Sequence, residues 1–195
     1  MRQHLDVYGL PAGSLAVRSE MQANRDELTG LYNRRYVLYK LAHMLADPEL
    51  DPERYVVMYM DLNKFKAVND GSGHEQGDKV LKSVGRHLQL RRGDIASRLG
   101  GDEFLVIVDT EDKPTDRRSS DRDGTGRRNH AQTRDEIVRG LTEHIRSEVQ
   151  QGAAEAGHSS VTASIGVVDL SKYTDVEKLL GAADEEMYRE KRSGR

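Results

Sequence analysis

The sequence predicts an α+β domain: a central, mainly antiparallel sheet flanked by helices, with a β-hairpin that carries acids at its tip. Three observations predict it. Apolar runs of strand length alternate with stretches of helical periodicity. Two of those runs, Ile95-Ala96-Ser97-Arg98 and residues 104–108, are separated only by Leu99, two glycines and two acids, so they form an adjacent hairpin instead of a parallel crossover. No glycine-rich phosphate loop of the Walker or dinucleotide type is present.

The composition bounds the rest. At 195 residues the chain suits one domain with a substantial core, plus some excess. Apolar residues are 36% and charged residues 32%, which describes a soluble, rather polar chain. The net charge of −3 gives no global attraction to nucleic acid or to an anionic membrane, so phosphate binding must come from local groups. The absence of cysteine excludes disulfides and thiolate metal ligands and fits a reducing compartment. No apolar run approaches membrane-spanning length and no signal-peptide core stands at the N-terminus, so the chain reads as cytoplasmic.

In chain order, residues 1–25 read as an extension with scattered apolar residues, a Gly-Leu-Pro-Ala-Gly turn cluster and a helical stretch over 14–24. The main domain then covers 26–195. Tyr36, Leu38, Leu41 and Leu45 share one face of a helix starting at Asn33, closed by Pro48 and Pro52. Residues 55–60 form a buried strand that ends at Asp61. A short helix covers 62–68, and Asp70-Gly71-Ser72-Gly73-His74 reads as a loop. Val80, Leu81, Val84 and Leu88 place a helix over 78–90, followed by the hairpin. Residues 111–133 lack large apolar side chains and mix both charge signs. They cannot bury enough surface to offset ordering, so they read as a disordered insertion. Ile137, Leu141, Ile145 and Val149 restore a helix. Residues 161–168 form a strand with Ala163, Ile165 and Val167 on one face. Val176, Leu179, Leu180, Ala183 and Met187 form the last helix.

The chemistry concentrates in Gly100-Gly101-Asp102-Glu103-Phe104. The glycines permit a tight turn and close approach of a ligand. The two carboxylates, with no basic residue beside them in the motif, repel each other unless a cation or proton intervenes. If the strand ending at Asp61 neighbours this hairpin, three acids converge at one sheet edge. Carboxylates with a backbone carbonyl suit Mg²⁺, which keeps water and substrate phosphates in its shell. Taken alone, Asp61 would also suit a cap for the next helix.

These residues resemble the GGDEF motif of the diguanylate cyclases, and the resemblance extends along most of the chain. Asp26-Glu27-Leu28-Thr29-Gly30-Leu31-Tyr32-Asn33-Arg34-Arg35 is similar to that family's opening segment. Met60-Asp61-Leu62-Asn63-Lys64-Phe65-Lys66 through Asp70 is similar to its metal strand and the helix that follows. Gly73-His74-Glu75-Gln76-Gly77-Asp78 is similar to its G-H-x-x-G-D segment, and Ser164-Ile165-Gly166-Val167, Ala183-Asp184 through Met187-Tyr188 and Lys191 to Arg195 to its closing segments. The resemblance implies that Asp61, the Leu62 carbonyl and Asp102 hold Mg²⁺, with Mn²⁺ as a substitute. It implies that Asp102 also accepts a proton while Glu103 supports the metal site. Asn69 and Asp78 match the guanine-recognising positions, His74 a substrate-contacting one, and Lys66, Lys191 and Arg195 phosphate-contacting ones. The chemistry agrees, since a carboxylate can accept both guanine donors and an amide can meet an acceptor. Asp78 also suits a helix N-cap, Asn69 a helix C-cap, and His74 a residue holding its turn. Arg34 and Arg35 read as structural ion-pair formers.

Arg91 and Asp94 stand where the family carries its inhibitory product site, which implies that cyclic di-GMP binds back as an inhibitor. Arg139, His144 or Arg146 could complete that site. The implied reaction joins two GTP into cyclic di-GMP and releases pyrophosphate in a homodimer with one GTP per domain. The alternative is a non-catalytic module that binds cyclic di-GMP or GTP. The sequence departs from the family pattern at Ser72, where a bulky apolar residue is usual, and in the charged insertion. The pattern also continues for one strand past Arg195, and no sensor domain is recognised before Asp26.

Overall fold

A computed structural model describes residues 22–88, 93–111 and 133–194. Five strands, β1 (Tyr32–Asn33), β2 (Tyr55–Asn63), β3 (Ile95–Gly100), β4 (Glu103–Asp109) and β5 (Thr162–Asp169), form one sheet in the order β1-β3-β4-β2-β5. Only β1 and β3 run parallel; the other pairs are antiparallel. The helices are α1 (Arg34–Ala46), α2 (Phe65–Ser72), α3 (His74–His87), α4 (Arg134–Glu155) and α5 (Val176–Ser193). The fold is α+β, as the sequence predicts.

Strand alternation divides the core into two layers. Val56, Met58, Met60 and Leu62 of β2 meet Phe104, Val106 and Val108 of β4 and the apolar sides of α2, α3 and α4. Val57 and Tyr59 join Leu105 and Ile107 under α1 and α5 on the other face. β2 and β4 are buried almost throughout because helices cover both faces. The last helix packs on β5 at Gly166, where a Cβ would lie 2.0 Å from the Ala183 carbonyl and 2.4 Å from the Met187 nitrogen. Any side chain there would push α5 off the sheet.

Several elements differ from the sequence reading, each for a local reason. β2 continues past Asp61 to Asn63, because β5 pairs with it as far as Asn63–Thr162. The predicted helix over 62–68 therefore begins later, at Phe65, and runs through the predicted loop to Ser72. Gly73, at φ +84°, is the whole interruption before α3, which starts at His74 instead of 78 and ends at His87. α1 buries Val37, Leu41 and Met44; Tyr36, Leu38 and Leu45 are only partly covered. The Asn33 side chain caps it by accepting from the Tyr36 N–H at 3.0 Å. The helix expected after the insertion is present as α4, opened by a Thr133–Glu136 capping box. Residues 1–21, 89–92, 112–132 and 195 lie outside the described residues, and with them most of the 14–24 helix and nearly all of the insertion.

Both feet of the insertion are tied to one turn, Pro52–Arg54. The Arg54 guanidinium donates to Asp109 at 2.6 Å and forms an ion pair with Glu111 at 3.1 Å. Arg134 donates to the Glu53 carbonyl at 3.0 Å and pairs with Asp169. Among the described residues, no helix is long and apolar enough to cross a membrane.

Candidate active site at the hairpin tip

The hairpin turn depends on its glycines. Gly100 has φ +146° and Gly101 φ +53°, and a register shift between Arg98 and Gly100 tightens the strand entry. Arg98 holds the turn from inside. Its Nε and Nη2 donate to the Gly101 carbonyl at 3.0 and 2.8 Å, and its Nη1 reaches Asp26 at 3.3 Å. Hydrogen bonds from Thr29 and Arg98 keep the Asp26 carboxyl below the usual range, outweighing the opposing cost of its burial. The opening segment is thereby tied to the hairpin.

β2 and β4 are neighbours, so the acids meet as the sequence expects. Asp61 sits opposite Glu103 in the sheet register, and the Leu62 N–H donates to the Asp102 carbonyl at 3.2 Å. Burial, then the nearby Asp61 charge, pushes the Asp102 carboxyl above its ordinary value. The acids are not without a basic neighbour, however. Lys191, on α5, places its Nζ 2.5 Å from Asp61 Oδ1. Two residues before Asp61 on the same face, the buried Tyr59 donates its hydroxyl to the Glu103 carboxylate. Burial and that charge raise the Tyr59 hydroxyl well above the phenol range. Sequence reading passed over Tyr59 and Arg98. The signal for both was position: a tyrosine in register with the acids, and an arginine just before a glycine turn.

These groups fit a hard divalent cation. Among the described residues, no three or more His, Cys, Asp and Glu side chains form a group able to hold an ion by themselves. Asp61 and Asp102 with the Leu62 carbonyl would supply part of an oxygen shell and leave room for water and phosphate, which is how Mg²⁺ meets nucleotides. The ammonium on Asp61 shows that this corner receives a cationic group.

The base-recognition candidates lie on α2 and α3, which cover the opposite face. Gly77 is where these helices touch: a Cβ there would fall 2.0 Å from Asn69 Oδ1. Asn69 lies inside α2 and only its carbonyl closes the helix, accepting from Gly73 N–H at 2.9 Å, so the C-cap reading does not hold. Asp78 lies within α3 and is exposed, so it is not an N-cap. His74 opens α3 and is exposed, as is Lys66 in the first turn of α2. α2 starts from Lys64 at φ +65°, three residues past Asp61, without a side-chain cap.

Asp94 lies just before β3 and is half-buried. Arg91 and Arg195 lie outside the described residues. Of the candidate partners for Arg91, Arg146 is committed elsewhere: it donates to the Ala163 carbonyl at 2.8 Å and to Glu190 at 2.7 Å. His144 stands 3.8 Å from Glu148, and Arg139 is exposed. Arg35 does brace the opening turn, but through the Ala23 carbonyl at 2.6 Å instead of an acid.

The chain is similar to known proteins. The family model described as "Diguanylate cyclase, GGDEF domain" matches residues 23–195. The chain is 32% identical to the diguanylate cyclase DgcP of Escherichia coli over 174 residues, covering 88% of this chain and 45% of that protein. It thus spans less than half of DgcP. Among solved structures, the diguanylate cyclase SiaD of Pseudomonas aeruginosa, in complex with its activator SiaC, superposes with a TM-score of 0.69. That match has 30% identity and covers 93% of this chain and 63% of SiaD. The GGDEF domain of DgcB from Caulobacter crescentus, in complex with c-di-GMP, gives 0.64 at 25% identity, covering 89% and 90%. The acid-tipped hairpin, the β2 acid beside it and the segments that brace both therefore place this chain in the diguanylate cyclase GGDEF-domain family.

Proposed function

We propose that the chain is an active diguanylate cyclase domain, acting in the cytoplasm, that joins two GTP into cyclic di-GMP. The observation that carries this reading is the pairing of Asp61 with the Asp102–Glu103 hairpin, with Lys191 reaching the same corner.

Asp78 accepts the guanine N1–H and N2–H₂ donors, and Asn69 meets a base acceptor. His74 borders the base. Lys66, Lys191 and Arg195 hold the phosphates. Asp61, the Leu62 carbonyl and Asp102 would hold Mg²⁺, or Mn²⁺ in its place, with Glu103 in support; the ion supplies charge neutralisation at the phosphates. Asp102 takes the proton of the attacking 3′-hydroxyl. The O3′–Pα bond forms as the bond from Pα to the bridging oxygen breaks, and pyrophosphate leaves. Two such transfers close the ring. Each GTP supplies the hydroxyl that the other's α-phosphate requires, so two domains must face each other as a homodimer. Arg91 and Asp94 form the site where the product inhibits.

The test is incubation of the chain with GTP and Mg²⁺, followed by chromatography of the nucleotides. Cyclic di-GMP and pyrophosphate should accumulate. Bound but unconsumed GTP would establish the binding-module alternative.

A further inference from the structure

We infer that Lys191 is a built-in counter-ion that competes with the divalent cation for Asp61, so that the acid corner takes up metal strongly only together with a polyphosphate. The inference rests on the metal and phosphate roles proposed above, and it adds a coupling between them.

The Lys191 ammonium lies 2.5 Å from Asp61 Oδ1, and the Asp61 side chain is only 16% exposed. An ammonium at that distance occupies the oxygen that a dication would need, and the two cations repel at close range.

The backbone beneath Lys191 is fixed. Glu190, the preceding residue, accepts from the Ile165 N–H of β5 and from Arg146 Nη2 at 2.7 Å. Arg146 is itself anchored to the Ala163 carbonyl, and Gly166 lets α5 lie directly on the strand. The helix end therefore cannot drift away, but the lysine side chain, 34% exposed, can swing on its flexible stem. A polyphosphate arriving at the corner offers the ammonium a second anionic partner. Its move frees Asp61, and metal and polyphosphate then bind with positive, reciprocal coupling.

The experiment measures Mn²⁺ binding by the full chain, from loss of the free-ion electron paramagnetic resonance signal. It is run without nucleotide and with 3′-deoxy-GTP, which has no 3′-hydroxyl to react. Wild type should bind Mn²⁺ weakly alone and more tightly with 3′-deoxy-GTP. Lys191→Met should bind Mn²⁺ alone about tenfold tighter, and the gain on adding 3′-deoxy-GTP should shrink by a similar factor. Lys191→Gln, which keeps a polar end, should behave alike and guards against a misfolded methionine variant. A tighter metal site is an outcome that a merely structural lysine would not produce. Unchanged or weaker Mn²⁺ binding by both variants in the absence of nucleotide would overturn the counter-ion role. Asp61→Asn separates this from the reading beneath it: undiminished Mn²⁺ binding there would refute Asp61 as a metal ligand altogether.

Discussion

Replacing Gly77 by alanine sets helix stability against base recognition. In an exposed helix interior alanine is favoured over glycine by about 1 kcal/mol. At Gly77, however, the new Cβ would lie 2.0 Å from Asn69 Oδ1 and 3.2 Å from Phe65 Cζ. The first distance cannot persist. Its relief is cheap in stability, because the carboxamide is the free end of a side chain and can rotate. An off-rotamer side chain costs roughly 0.5–1.5 kcal/mol, close to the helical gain, so net stability should stay within about 1 kcal/mol of wild type. The cost should appear in GTP binding. Asn69 turned away forfeits a neutral hydrogen bond to guanine, worth about 0.5–1.5 kcal/mol, or roughly 2- to 12-fold in affinity. Urea unfolding followed by circular dichroism measures the first quantity, and titration calorimetry with GTP the second. A stable variant with wild-type GTP affinity would show that Asn69 does not touch the base. A loss of several kcal/mol in stability would show that the α2–α3 contact cannot relax.

Four further outcomes are expected. Asp102→Asn should abolish cyclic di-GMP formation yet raise the thermal midpoint. The native carboxyl is raised, so in the wild type its ionisation subtracts stability as pH climbs from the unfolded to the folded pKa; a variant no more stable than wild type at neutral pH would contradict this. His87 lies between Glu148 at 3.0 Å and Glu155 at 2.9 Å, and the Glu148 hydrogen bond leads the causes that raise its pKa. Its contribution is therefore complete below the unfolded value of about 6.5 and fades as pH rises through the folded one, so melts of wild type and His87→Gln should converge toward alkaline pH. Excising residues 113–129 and bridging the gap with a short Gly-Ser linker should preserve turnover, because both feet stay tied to Pro52–Arg54; a folded but inactive deletion would assign the segment a part in catalysis or pairing. Arg91→Ala should relieve inhibition by added cyclic di-GMP, and calorimetry showing undiminished binding would dismiss that arginine.

What could be read from the sequence followed the range of the interactions. The hairpin, its acids and most helices depend on neighbours a few residues apart and were legible. Asp61 reads as a strand end because a charge usually stops a buried run; pairing with β5, some 100 residues away in the chain, carries the strand on to Asn63, and Lys191 meets the charge on the way. The stretch Asp70–His74 has loop composition, yet α2 and α3 pack so closely that one glycine suffices between them. The apolar face of α1 was misassigned because Tyr36, Val37, Leu38 and Tyr39 are consecutive and periodicity cannot choose among them. Arg98 and Tyr59 gain their roles only when strands distant in sequence are placed side by side.

The sheet order also sets how the site should respond to amide hydrogen exchange. β2 and β4 are inner strands, each paired on both sides, so the amides around Asp61 and Glu103 should open only with global unfolding. α2 is eight residues long, begins at a left-handed lysine and ends at a positive-φ glycine, and should exchange much sooner. The chemistry would then rest on the slowest-opening part of the molecule and the Asn69 contact on one of the fastest. Such a division lets the pocket loosen to admit or release a nucleotide while the spacing of the carboxylates stays fixed.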